Sequence, residues 1–148
     1  MTLFEVVLKV THDCPFANVS RKYPSMKLFQ WCNREREVME VVVDKPEEYD
    51  EVREQLSQMG EIFEESSDSQ RVHLVTTPCF CNLEGSVASH IDSFDILQVD
   101  PVVYNEGWEY HRLIVFRHKD LQKLMERLEK NGFVFDIVRK VPFDGFIA

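Results

Sequence analysis

Two short stretches carry residues able to hold a metal or change redox state. Cys79-Phe80-Cys81 sets two thiols one residue apart, and His12-Asp13-Cys14-Pro15 sets an imidazole and a thiol in the same relation. Side chains on a β-strand alternate between faces, so each such pair would point to one side. His12 and Cys14 also share the parity of Val6, Leu8 and Val10, the apolar positions that lead into them. Together the pairs offer four nitrogen and sulfur donors, the set that zinc, iron or copper(I) favours. Cys32, in Trp31-Cys32-Asn33, is a fifth candidate ligand. Zinc is the first expectation. Iron or haem ranks behind it, since Cys14-Pro15 matches only a two-residue pattern of some haem-regulated proteins.

These spacings belong to no common zinc motif, so other readings stand beside this one. Free cysteine is among the most buried residue types, and the thiols would then simply pack. A Cys79–Cys81 disulfide is disfavoured, because same-face neighbours on a strand rarely meet its Cβ geometry. Cys14 activated by His12 as a nucleophile would need an oxyanion site as well. Trp31, Trp108 and Tyr110, with His73, form a further candidate set for a small-molecule ligand, although aromatics at strand positions more often make cross-strand pairs. The chain has no glycine-rich phosphate loop and no nucleophile elbow, and it reads as a non-enzyme.

The elements that must position these residues come from hydrophobic periodicity. Glu37 to Val43 alternates as a strand, Lys45-Pro46-Glu47-Glu48 opens a helix, and Tyr49, Val52, Leu56 and Met59 form its apolar stripe. Gly60 is expected to end that helix with a positive φ, before a strand at Ile62 and Phe63. A shift of 72 residues superposes Gly60 on Gly132, with Val41 and Val43 on Leu113 and Val115, and Val52 and Leu56 on Leu124 and Leu128. The second copy thus predicts a strand to Phe116, a helix over about 118–131 and a strand from Phe133. Arg71 to Thr77 should form a hairpin with the strand before it. Asp95 to Tyr104 should pair with Trp108 to Phe116, with Pro101 marking an edge strand or a bulge.

The expected fold is therefore α+β: two ferredoxin-like or ACT-like repeats packed side by side, an antiparallel sheet with helices on one face. Residues 1–81 would form the first repeat with the cysteine motifs, 82–93 a linker, and 94–148 the second repeat, in one compact unit. Composition agrees with a folded chain: 148 residues, 44% apolar and 29% charged. A net charge of −9 with scattered Lys and Arg argues against direct nucleic-acid binding. Neither a signal peptide nor a membrane-spanning run is visible, which makes the cytoplasm the expected location.

Thr11-His12-Asp13-Cys14-Pro15-Phe16, Phe29-Gln30-Trp31-Cys32-Asn33 and Val103-Tyr104-Asn105-Glu106-Gly107-Trp108-Glu109-Tyr110 give the chain a further signature. In these segments it resembles the N-terminal region of archaeal transcription regulators of the bacterio-opsin activator type. That resemblance implies a regulatory, sensing domain whose partner is a C-terminal helix-turn-helix DNA-binding domain absent from this chain, with homodimerisation a further expectation. The sensed input would be a metal ion or thiol oxidation at the Cys/His cluster. The rival is an ACT-like module that binds an amino-acid-sized molecule without metal.

Overall fold

A computed structural model describes residues 3–33, 35–68, 70–77 and 86–144. The elements run β1 (Phe4–Thr11), α1 (Pro15–Lys22), β2 (Lys27–Cys32), β3 (Glu37–Val42), α2 (Pro46–Met59), β4 (Ile62–Ser67) and β5 (Arg71–Thr76). They continue with α3 (Val87–Asp92), β6 (Ile96–Asn105), β7 (Trp108–Val115), α4 (His118–Lys130) and β8 (Val134–Pro142). All eight strands join one sheet in the order β4-β5-β3-β2-β6-β7-β1-β8. Every pairing in it is antiparallel.

This overturns the expectation of two ferredoxin-like or ACT-like repeats lying side by side. Self-contained halves would keep their own strands together. Instead β1, the first strand of the chain, sits between β7 and β8, so an early segment is inserted among late ones in a single sheet. The 72-residue offset still relates local elements: 15 + 72 = 87 links the starts of α1 and α3, and 46 + 72 = 118 those of α2 and α4. Apolar periodicity encodes those local elements. Strand partnership depends on long-range pairing, which the periodicity leaves open.

One sheet face is buried along alternate residues of the strands. Val6, Leu8 and Val10 of β1, Leu28 of β2, Met39 and Val41 of β3, Leu74 of β5 and Leu113 and Val115 of β7 are all nearly inaccessible. Two apolar clusters lie on this face. One gathers α1, α2, β2, β3 and β5 around Met26, Leu28 and Met39; the other gathers α3, α4, β1 and β7 around Leu8, Leu113 and Leu124. β6 forms the seam between them: Val102 and Tyr104, opposite Gln30 and Leu28 of β2, belong to the first cluster, and Ile96 belongs to the second.

Local expectations divide on this frame. Gly60 is extended (φ −176°), not left-handed. A glycine is needed there because an added Cβ would lie 2.8 Å from Thr77 Oγ1 and 2.9 Å from the Thr77 carbonyl oxygen. Gly132 does take a positive φ of 81°. Pro101 lies in β6, an interior strand, and marks an irregularity where the register shifts between Val99 and Val103. Within the stretch read as a linker, residues 87–92 form α3, with the Ser86 hydroxyl accepting from the Ser89 N–H at its start.

Candidate metal centre

β1 runs out at Thr11, and the chain turns through His12 and Asp13 before α1 begins at Pro15. Proline at the first helical position has its φ already set, and its missing N–H is one the helix start leaves unpaired anyway. The turn is fixed by the Cys14 N–H donating to the His12 carbonyl at 2.9 Å. Cys14 therefore stands at the head of α1, only 2% exposed.

Opposite it, the hairpin turn at Asn105-Glu106-Gly107 starts β7. Glu106 and Gly107 both have positive φ, 51° and 87°. The Gly107 N–H donates to Ser20 Oγ of α1 at 2.9 Å, and Thr11 Oγ1 donates to the Gly107 carbonyl at 2.8 Å. These bonds tie the end of β1 and the body of α1 to the start of β7. Glu109 is two residues further on, pointing inward between Val10 of β1 and Tyr104 of β6.

The result is a compact group of three different donors. One ligand atom each from His12, Cys14 and Glu109 lies within 4.8 Å of the others. Glu109 is 3% exposed and His111, next on the same face, 2%. His111 Nε2 lies 3.0 Å from Glu109 Oε1, while His111 Nδ1 lies 3.2 Å from Gln98 Nε2. With the Gln98 amide as donor, His111 carries its proton on Nε2 and donates it to Glu109. His12 Nε2 abuts the other carboxylate oxygen, Oε2. That oxygen has no well-directed hydrogen bond among the described residues. Burial by itself would push the Glu109 carboxyl up. Hydrogen bonding by His111 and then His12, with the positive charge each ring carries when protonated, outweighs it and holds the group down at about 2.

A cavity of about 30 Å³ opens beside the group, lined also by Gln30, Ser86, Val87, Ala88, Val102 and Tyr104. It lies on the seam between the two apolar clusters. Tyr104 donates to Gln30 Oε1 at 2.7 Å, and Gln30 Nε2 donates to Glu37 Oε1, also at 2.7 Å. A polar strip thus crosses the otherwise apolar inner face. The cavity has room for an ion and a water-sized molecule, not for an amino acid.

Of the residues singled out from sequence, His12 and Cys14 meet here. Cys32 is half-buried at the end of β2, opposite Glu37, and is not in the group. Cys79 and Cys81 lie outside the described residues. Trp31, Trp108, Tyr110 and His73 all fall on the outer face of the sheet, away from the cavity. Trp31 is 38% exposed, Trp108 carries the Lys9 ammonium 4.4 Å above its ring, Tyr110 is opposite Lys9, and His73 bonds Glu40 at 2.9 Å. They form no cage around the cavity. Glu109 and His111 are not among the residues singled out from sequence. The available signal was their parity: both alternate with Leu113 and Val115 on the buried face of β7.

A family model described as HVO_A0563, N-terminal, matches residues 5–145. The chain belongs to this family. The match supports an archaeal N-terminal domain and names no metal, ligand or regulated gene. No curated protein matches the chain. Among the described residues no helix is long and apolar enough to cross a membrane.

Proposed function

We propose that this is a sensing domain of an archaeal transcription regulator, whose input is a divalent transition metal held by His12, Cys14 and Glu109. The observation that supports it most is the convergence of an imidazole, a thiol and a carboxylate within 4.8 Å beside an ion-sized cavity. A nitrogen, a sulfur and an oxygen donor suit zinc first and iron second. His111 holds Glu109 in place from behind, as outer partners orient metal ligands elsewhere.

The donors also suit a switch. Cys14 heads α1, which belongs to one apolar cluster, while Glu109 sits on β7, which belongs to the other. A metal bonded to both would clamp the clusters across the seam. Loss of the metal would leave β6, which pairs with β2 on one side and β7 on the other, and the α1 contacts to hold them. A packed interface with two arrangements is a means of passing such a change onward. In this reading the onward partner is a DNA-binding domain outside this chain, as the resemblance to bacterio-opsin activator-type regulators implies, and these residues do not themselves bind nucleic acid or catalyse a reaction.

The test is zinc binding by equilibrium dialysis and thermal melting, on the unaltered protein and on Cys14→Ser, Cys32→Ser and Cys79→Ser/Cys81→Ser. One zinc per chain, a raised Tm, and loss of both in Cys14→Ser alone are expected. Retention of zinc in Cys14→Ser would contradict the assignment. At this site the small-molecule rival has less support, because the cavity is too small and the aromatic candidates lie on the far face.

A further inference from the structure

The same cavity bears on what completes the coordination of such a metal, an inference that rests on the metal reading above. We propose that the centre is open: three protein donors and a fourth position, facing the cavity, that takes a neutral water-sized molecule and exchanges it. Structural zinc sites close with four protein ligands, whereas sites with three keep one position for solvent or an added ligand.

Among the described residues the cavity wall offers no further thiol or carboxylate, and its remaining polar groups, the Tyr104 hydroxyl on Gln30 included, are hydrogen-bonded. His111 is the one further imidazole there, and both its nitrogens are engaged, Nε2 with Glu109 and Nδ1 with Gln98. The Gln30 amide is spent at both ends, on Glu37 and Tyr104. The Ser86 hydroxyl accepts from the Ser89 N–H. Val87, Ala88 and Val102 are apolar. Size limits the guest, since about 30 Å³ admits one or two water-sized molecules and no ring.

Charge limits it further. A divalent ion bound by one thiolate and one carboxylate is already neutral. An anion added to it in a buried site would bring an uncompensated charge, which is expensive in a low-dielectric interior. A neutral molecule of two or three atoms meets both limits. On entry it breaks the metal–water bond, forms its own bond to the metal, and releases the water. A closed-shell guest exchanges without transfer of an electron or proton, and nitric oxide, a radical, in addition draws electron density from cobalt(II) into the new bond.

Cobalt(II) makes this visible, because its absorption bands report the ligands around it. The metal-loaded protein is exposed anaerobically to nitric oxide, to imidazole and to azide, representing a small neutral, a large neutral and a small anionic ligand. Nitric oxide should shift the visible bands and saturate at one per cobalt. Imidazole should cause no shift, and azide should bind at least tenfold more weakly than nitric oxide. Ala88→Leu, which fills the cavity, should retain cobalt and lose the nitric oxide response. Bands unmoved by nitric oxide would show a closed site and overturn the inference while leaving the metal reading intact. Equal binding of imidazole would overturn it by showing a site open to bulk solvent. Failure to bind cobalt at all would remove the metal reading and this inference together.

Discussion

Replacing Glu109 by glutamine keeps the shape of the side chain and removes its charge. In the metal-free protein that charge is held by His111 Nε2 at 3.0 Å and by His12 Nε2 against the other oxygen. These contacts bring the carboxyl from its ordinary 4.5 to about 2, in spite of burial. At about 1.4 kcal/mol for each tenfold in acidity, the charged form contributes about 3 kcal/mol to folding. The sign follows from the depressed value. The contribution is complete above 4.5, where the unfolded carboxyl is ionised too, and it is lost as pH falls towards 2. A glutamine amide in its place cannot titrate. The amide would also keep an acceptor oxygen for one imidazole and turn its NH2 toward the other, setting donor against donor in a buried place. Urea unfolding should therefore show Glu109→Gln less stable by about 3 kcal/mol at about pH 6, with the gap shrinking by about 2 kcal/mol at about pH 3. A gap of the same size at both pH values would refute the argument, as would a variant as stable as the parent at the higher pH.

Two glycines separate two different reasons for the same residue. Gly60→Ala should destabilise by about 1–3 kcal/mol through collision with the Thr77 backbone, although its φ suits any residue. Gly132→Ala meets nothing within 4 Å and should cost about 1 kcal/mol from its positive φ alone. Thermal melting of the two variants distinguishes these costs, and Gly132→Asn, which tolerates that conformation better, should recover part of the second. Ser20→Ala strips the Gly107 N–H of its buried acceptor and should lower stability by about 1–3 kcal/mol in chemical denaturation. Because that bond holds α1 to the start of β7, the same variant should also bind zinc more weakly by equilibrium dialysis.

The helices α2 and α4 and the hairpin of β4 with β5 are legible in the sequence because each rests on local pattern: an apolar stripe, proline at a helix start, or a polar turn between alternating runs. The order of the strands is not. The insertion of β1 between β7 and β8 joins residues a hundred positions apart, such as Val6 and Leu113, and the repeat pattern points to no such exchange. α1 and α3 span eight and six residues, too few for periodicity to stand out from the flanking turns. Half of the site is legible for a chemical reason, since His12 and Cys14 are near neighbours in sequence and of ligand type. Glu109 is not, because one carboxylate in a strand reads as solvated until its parity with Leu113 and Val115 is followed inward. His111 by itself reads as exposed or hydrogen-bonded, and the same parity accounts for its burial.

The central claim is that a bound metal takes its protein ligands from His12, Cys14 and Glu109. X-ray absorption at the zinc edge of the zinc-loaded protein tests it most directly, because scattering from sulfur and from nitrogen or oxygen differs in phase and distance. The account predicts one sulfur at about 2.3 Å and the remaining neighbours nitrogen or oxygen at about 2.0–2.2 Å. Two or more sulfurs in that shell would contradict it, and would move the centre to Cys79 and Cys81.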